Sequence, residues 1–178
     1  ITGLIIAPLD GNPITNHGEL RDTFYVFKRV RTLGYVDNDD VPSTWKPTIV
    51  DNSLGTCVHG IATVLDSGGV NVDYFAVCTY GGIYYFNGRF VIPEITENIV
   101  NTWNDQDRNE YRIIQIVNCP PRKSFYVVLP DSRLLIGNYE NGISSQKIRW
   151  TPIYFDQVVN CVGIVNIDEI IIGLDVPF

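Results

Sequence analysis

Short apolar runs separated by turn residues recur along most of this chain, and they restrict it to β structure. The runs are rich in Val, Ile, Tyr, Phe and Thr, which favour pleated, half-buried strands. Clusters of Asp, Ser, Gly, Pro and Asn punctuate them. We therefore predict an antiparallel all-β fold without a convincing helix, with strands over 57–65, 74–79, 83–86, 97–102, 111–117, 125–129, 134–136, 148–154, 158–165 and 169–174.

The first 50 residues follow a looser pattern. They predict a hairpin with strands over 3–8 and 23–30 and a turn at 10–13, followed by a long excursion. The acidic stretch 37–40 lacks the glycine and the distal Glu of a calcium loop, which favours a solvated turn.

One internal repeat offers an alternative architecture. Residues 115–119 (Gln-Ile-Val-Asn-Cys) are echoed 42 residues later by 157–161 (Gln-Val-Val-Asn-Cys). A period of this size is typical of propeller blades. The flanking residues do not repeat, so an antiparallel sandwich is the leading prediction and a four-bladed propeller is the alternative.

Charge and hydropathy exclude two classes of partner. The net charge is −7, with 13 Lys and Arg against 20 Asp and Glu. Nucleic acid is not an expected partner, because phosphate neutralisation needs a basic face. No apolar run approaches the ~18 residues of a membrane span, so we expect no membrane insertion. The chain opens at Ile1 with no visible signal peptide, which suggests a processed fragment.

Cysteine and histidine spacing predicts neither a metal site nor a cofactor. Cys57, Cys78, Cys119 and Cys161 form no CxxC pair, and neither histidine has a partner at ligand spacing. We predict buried free thiols, while disulfides remain a possible alternative.

The sequence shows no nucleophile, base and acid in a catalytic order, and the carboxylates of the acidic turn at 105–110 are better explained by solvation. We therefore predict a non-enzymatic protein.

A polar row along one predicted strand is the candidate binding site. Residues at i, i+2 and i+4 of a strand share a face, which groups a phenol, an amide and a guanidinium opposite two Phe side chains. Such groups suit sugar hydroxyls, and an aromatic ring suits the apolar face of a sugar. The same alternation is typical of the wet side of any half-buried sheet. The candidate carbohydrate-binding residues are Tyr85, Asn87, Arg89, Asn101, Trp103, Glu110 and Arg112.

These residues resemble the motifs of galectin carbohydrate-recognition domains. Asn87-Gly88-Arg89, Asn101 and Glu110-Tyr111-Arg112 match in order the family's Asn-x-Arg, second Asn and Glu-x-Arg. The resemblance implies a two-sheet jelly-roll sandwich that binds a glycan or glycoprotein through its concave sheet. Tyr85 stands where the family has His, and Asp107 stands where it has the stacking Trp. These departures imply another glycan specificity, or a protein-interaction domain that has lost β-galactoside binding.

A second resemblance is to the galectin-like glycan-binding head of rotavirus spike proteins. It is carried by residues 74–77 (Tyr-Phe-Ala-Val) and 82–88 (Gly-Ile-Tyr-Tyr-Phe-Asn-Gly). This resemblance implies cell or host attachment from a virion surface; the galectin resemblance implies an extracellular or surface-acting protein with a possible cytoplasmic pool. Together they predict a sandwich over 51–178 with an N-terminal β extension, 1–50, packed on it.

Overall fold

The protein is built of antiparallel β-sheets, which confirms the predicted all-β class. The computed structural model describes residues 11–21, 23–36, 47–57, 59–64, 73–88, 91–92, 95–107, 109–110, 114–142, 147–166 and 168–175. The statements below concern these residues.

Sheet 1 contains β1 (Ile14–Leu20), β2 (Thr23–Lys28), β3 (Thr32–Val36) and β4 (Thr48–Asp51). Only β2 was predicted from sequence, as 23–30. The chain bends after Lys28, whose N–H donates to the carbonyl of Arg31 at 2.8 Å. The prediction of a single hairpin was therefore incomplete, and the predicted strand over 3–8 lies outside the described residues.

Sheet 2 contains β5 (Ile61–Val64), β6 (Tyr74–Thr79), β7 (Gly82–Phe86) and β8 (Val91–Ile92). A two-residue turn, Tyr80-Gly81, joins β6 to β7. The hydroxyl of Thr79 accepts the N–H of Gly81 at 3.0 Å within this turn. β6 has the predicted boundaries, because its run is apolar on both faces and every residue except the last is buried.

Sheet 3 contains β9 (Gln115–Cys119), β10 (Ser124–Val128), β11 (Leu134–Asn138) and β12 (Arg149–Ile153). Sheet 4 contains β13 (Val159–Val165) and β14 (Glu169–Leu174). These strands lie within a few residues of the predicted ones.

Within each sheet, strands that are consecutive in sequence pair with each other, so each four-stranded sheet is a meander. Side chains on the two faces of the central strands enter different cores. In β6, Phe75 and Val77 pack toward sheet 1, whereas Tyr74 and Cys78 pack toward sheet 3. The sheets therefore pack in chain order, with one apolar cluster between each consecutive pair.

Aromatic side chains dominate the cluster between sheets 1 and 2. Tyr25 and Phe27 on β2 meet Phe75 on β6 and Phe86 on β7 edge to face, with ring centroids 5.3–6.1 Å apart. This packing joins residues on both sides of position 50. The predicted division into 1–50 and 51–178 stays a prediction.

The first strands of sheets 2, 3 and 4 lie side by side. The side-chain amide of Gln115 on β9 donates to the carbonyl of Val162 on β13 at 2.9 Å and accepts its N–H at 3.1 Å. On the other side, Asn118 Nδ2 donates to the carbonyl of Thr63 on β5 at 3.1 Å. The echoed sequence thus includes the start of β9 and the start of β13.

The predicted strand over 97–102 is wrong. Glu97–Ile99 is a 3-10 turn and Val100–Asn104 is a short α-helix, α1. Ile95, Ile99 and Trp103 all pack in the cluster between sheets 2 and 3. Their spacing of four residues is helical, and it places one apolar stripe on the core.

All four cysteines are free thiols. Cys57, Cys78 and Cys119 are buried as predicted, but Cys161 is exposed because it lies on the outward face of β13. Among the described residues, no helix has the length and apolar character that a bilayer crossing requires.

Candidate functional site

The structure describes only some members of the predicted strand site. Tyr85 on β7 is half-buried and its ring stacks on Tyr74, with centroids 4.1 Å apart. Burial raises the pKa of Tyr85, so its phenol stays a neutral hydrogen-bonding group. Asn87 follows β7 and is half-buried. Arg89 and Arg112 lie outside the described residues, so the predicted ion-pair lattice stays a prediction.

Trp103 does not provide a stacking surface for a sugar. Its side chain is 0% exposed, within the core between sheets 2 and 3. Asn101 is exposed on the same helix, because residues two apart in a helix face nearly opposite directions. The prediction that Trp103 shapes a subsite is therefore wrong. Trp103 points into the core because a helix replaces the expected strand.

Glu110 is exposed in a turn. Its N–H donates to the carbonyl of Asp107 at 3.0 Å, and the Asp107 carboxylate accepts the N–H of Asn109 at 2.8 Å. This local network explains the acidic turn as a structural feature. Within the described residues, no group of three or more His, Cys, Asp or Glu is placed to hold a metal ion.

A groove lies at one end of sheets 1 and 2, and none of the described members of the predicted site lines it. Two cavities of about 320 and about 410 Å³ share Arg29, Gly55, Thr79 and Tyr80 in their walls. The β2–β3 turn forms one wall, the β6–β7 turn forms the other, and the connection between sheets 1 and 2 runs between them. We refer to this feature as the Arg29–Tyr80 groove.

Gly55 lets the connection approach the β2–β3 turn. A Cβ atom at Gly55 would overlap the backbone of Arg29 and Val30. The neighbouring N–H of Thr56 donates to the carbonyl of Lys28 at 3.1 Å. A glycine is therefore required at this point, because any side chain would push the connection away from the turn.

Asp51 fixes the start of the connection. One of its carboxylate oxygens accepts the N–H of Ser53 at 2.6 Å, the Ser53 hydroxyl at 2.8 Å and the N–H of Leu54 at 2.7 Å. Burial alone would raise the pKa of Asp51, but these hydrogen bonds outweigh it and the pKa is lowered. The buried hydroxyl of Thr32 donates to the Leu54 carbonyl at 2.6 Å.

The floor of the groove is buried and chemically inert. Thr56, only 4% exposed, donates its hydroxyl to the carbonyl of Cys78 at 2.9 Å. The N–H of Cys57 donates to the same carbonyl at 3.2 Å. Burial raises the pKa of the Cys57 thiol to about 12, so the thiol stays protonated near neutral pH. A protonated thiol is a poor nucleophile, which argues against covalent chemistry at this wall.

Arg29 and Tyr80 meet across the groove. Nε and Nη2 of Arg29 donate to the Tyr80 hydroxyl at 3.1 and 3.0 Å. The guanidinium carbon lies 6.0 Å from the centroid of the Tyr80 ring, and Tyr80 remains 38% exposed. Among the described residues that line the two cavities, Arg29 alone carries a charge.

Sequence reasoning missed both residues. The sequence predicts Arg29 as part of the strand over 23–30, and it indicates no role for Tyr80. The available signal was a turn with three cations in four positions, 28–31, together with an aromatic residue before Gly81-Gly82. Neither a protein-family model nor a curated protein matches this chain.

Proposed function

We propose that this chain is a non-enzymatic glycan-binding domain whose ligand lies in the Arg29–Tyr80 groove. The observation that carries the proposal is the pairing of the Arg29 guanidinium with the partly exposed Tyr80 ring, in a groove whose other described lining residues are uncharged. An aromatic ring can pack on the apolar C–H face of a sugar, while the guanidinium donates to its oxygens.

The remaining walls support the same chemistry. They carry neutral hydrogen-bonding side chains, which can both donate to and accept from sugar hydroxyls: Thr15, Asn52, Ser53, Thr79 and Asn109. The hydrogen bonds of Asp51, Thr32 and Thr56 hold the connection in place before a ligand arrives. A preformed wall reduces the ordering entropy that binding would otherwise lose.

The proposed ligand site differs from the site predicted from sequence, which is the row of Tyr85, Asn87, Arg89, Asn101, Glu110 and Arg112. Asp107 stands where galectins have the stacking Trp, and Trp103 cannot replace it because its side chain is in the core. None of the described members of the row lines either cavity of the groove.

We also propose that the sheets are propeller blades rather than the layers of a jelly-roll sandwich. A sandwich has one core between two sheets, and its connections cross between them. Here consecutive strands form each sheet, and a separate apolar cluster lies between each consecutive pair. The adjacent first strands β5, β9 and β13 are consistent with sheets arranged around a common axis.

A glycan array tests the function. Wild type should bind a defined set of glycans, and Arg29→Ala and Tyr80→Ala should each lose that binding. The matched controls are Arg122→Ala and Tyr154→Ala, which remove exposed side chains of the same types outside the groove. Circular dichroism should show the same fold for all variants. Equal binding by wild type and both groove variants would overturn the site, and no binding to any glycan would overturn the function.

A second candidate function, self-association, is favoured by the outward face of sheet 4. Val165 and Ile171 on this face are 42% and 54% exposed, and Cys161 lies beside them. These exposed apolar side chains would suit the same face of a second copy, although Glu169 lies opposite Val165. Light scattering should then show a dimer that Ile171→Lys dissociates and Ile49→Lys does not, because Ile49 is equally exposed on β4. A monomeric wild type would exclude this function.

A further inference from the structure

The free edge of the Arg29 guanidinium identifies a class of ligand. A guanidinium has five N–H groups in a planar fork. Nε and the adjacent N–H of Nη2 are occupied by the Tyr80 hydroxyl. The three remaining N–H groups, which include the Nη1–Nη2 edge, have no acceptor among the described residues. That edge is the one that matches the two oxygens of a carboxylate.

The electrostatic setting favours an anion at this edge. Arg29 is the one charge on the described walls of the groove, although the whole chain carries −7. Asp51, at the start of the connection, directs one carboxylate oxygen at the backbone N–H groups of Ser53 and Leu54. Among the described lining residues, Arg29 is therefore the group that would attract an anion.

The Tyr80 ring limits the identity of the anion. A bare inorganic anion would use the guanidinium but leave the partly exposed ring and the hydroxyl-lined walls without a role. A sugar that carries a carboxylate would use the guanidinium, the ring and the walls together. The carboxylate would pair with Arg29, the C–H face of the sugar would pack on Tyr80, and the sugar hydroxyls would meet Thr79 and Asn52.

We infer that the Arg29–Tyr80 groove binds an acidic sugar, whose carboxylate pairs with the Nη1–Nη2 edge of Arg29. This inference rests on the proposed glycan-binding function and adds the charge of the ligand. The Tyr80 hydroxyl acts as a positioning group, since it holds the guanidinium by the opposite edge.

Matched ligands give the sharpest test. An array would carry uronate-containing oligosaccharides beside the same oligosaccharides with each carboxylate reduced to a hydroxymethyl group. Wild type should bind the acidic members at least about tenfold more tightly, the size of effect expected for a bidentate charged pair. This preference should weaken as ionic strength rises, because salt screens exposed charges.

Variants assign the preference to Arg29. Arg29→Gln should bind acidic and reduced members equally, Arg29→Lys should keep part of the preference, and Arg122→Gln should behave as wild type. Tyr80→Phe keeps the ring but removes the hydroxyl that positions Arg29. It should therefore weaken the preference for acidic members, while the affinity for the carboxylate-reduced members changes less. If wild type binds both members equally, or binds neutral glycans alone, the inference fails and the glycan function stands. If wild type binds no glycan, both fail.

Discussion

The backbone of Gly55 lies directly against the backbone of Arg29, closer than a Cβ atom would permit. Gly55→Ala should therefore separate the connection from the β2–β3 turn and destabilise the fold by about 1–3 kcal/mol, the usual range for overpacking. Urea unfolding measures this difference, and the same variant should lose ligand binding. The control is Gly163→Ala, because a Cβ there meets nothing within 4 Å. Equal stability of the two variants would contradict the close approach.

Gln115 links two sheets through its side chain, whereas its sequence counterpart Gln157 makes no hydrogen bond in the described structure. Gln115→Ala leaves the N–H and carbonyl of Val162 without these partners. We expect a loss of about 1–3 kcal/mol in the free energy of unfolding, as for an unsatisfied buried polar group. Gln157→Ala should change stability by less than about 0.5 kcal/mol, as is usual for surface substitutions. A larger loss at Gln157 would count against the contact between β9 and β13.

Acid should destabilise the protein through Asp51 and Asp131. Burial would raise the pKa of Asp131, but hydrogen bonds from Arg133 and Gln106 outweigh it, and the pKa is lowered, as for Asp51. A lowered folded-state pKa stabilises the fold above the ordinary carboxyl pKa of 3.8, and this stabilisation is lost as pH falls below it. The difference in unfolding free energy between pH 7 and pH 3 should shrink in Asp51→Asn and Asp131→Asn. It should stay unchanged when exposed Asp156 is replaced by Asn.

Cysteine labelling should distinguish Cys161 from the buried thiols. Cys161 is exposed, whereas burial raises the pKa of Cys57 to about 12 and the pKa of Cys78 well above its ordinary value. At pH 8, alkylation followed by mass spectrometry should modify Cys161 first, and all four cysteines should react in denaturant. Comparable labelling of Cys57 in the native protein would contradict the buried floor of the groove.

The sequence predicts strand positions correctly where the pattern of apolar residues fits only a strand. The runs that became β6 and β14 were assigned to the residue, because continuous β-branched and aromatic residues leave little choice. The strand predicted over 97–102 is wrong, and a 3-10 turn followed by α1 occupies these residues. The spacing of Ile95, Ile99 and Trp103 is in fact helical.

The groove could not be predicted from sequence, for a different reason. Arg29 and Tyr80 are 51 residues apart and lie in turns of two different sheets. Their meeting depends on the packing of Phe27 against Phe75 and on the glycine at position 55. A strand-face pattern captures neighbours on one element, whereas this site is formed by the ends of two elements and a connection.

A crystal structure of the protein soaked with the acidic oligosaccharides that it binds would locate the ligand. We expect ligand density in the Arg29–Tyr80 groove, with a carboxylate within hydrogen-bonding distance of Nη1 and Nη2 of Arg29 and a sugar ring on Tyr80. Density beside Tyr85 and Asn87, with the groove empty, would contradict this expectation.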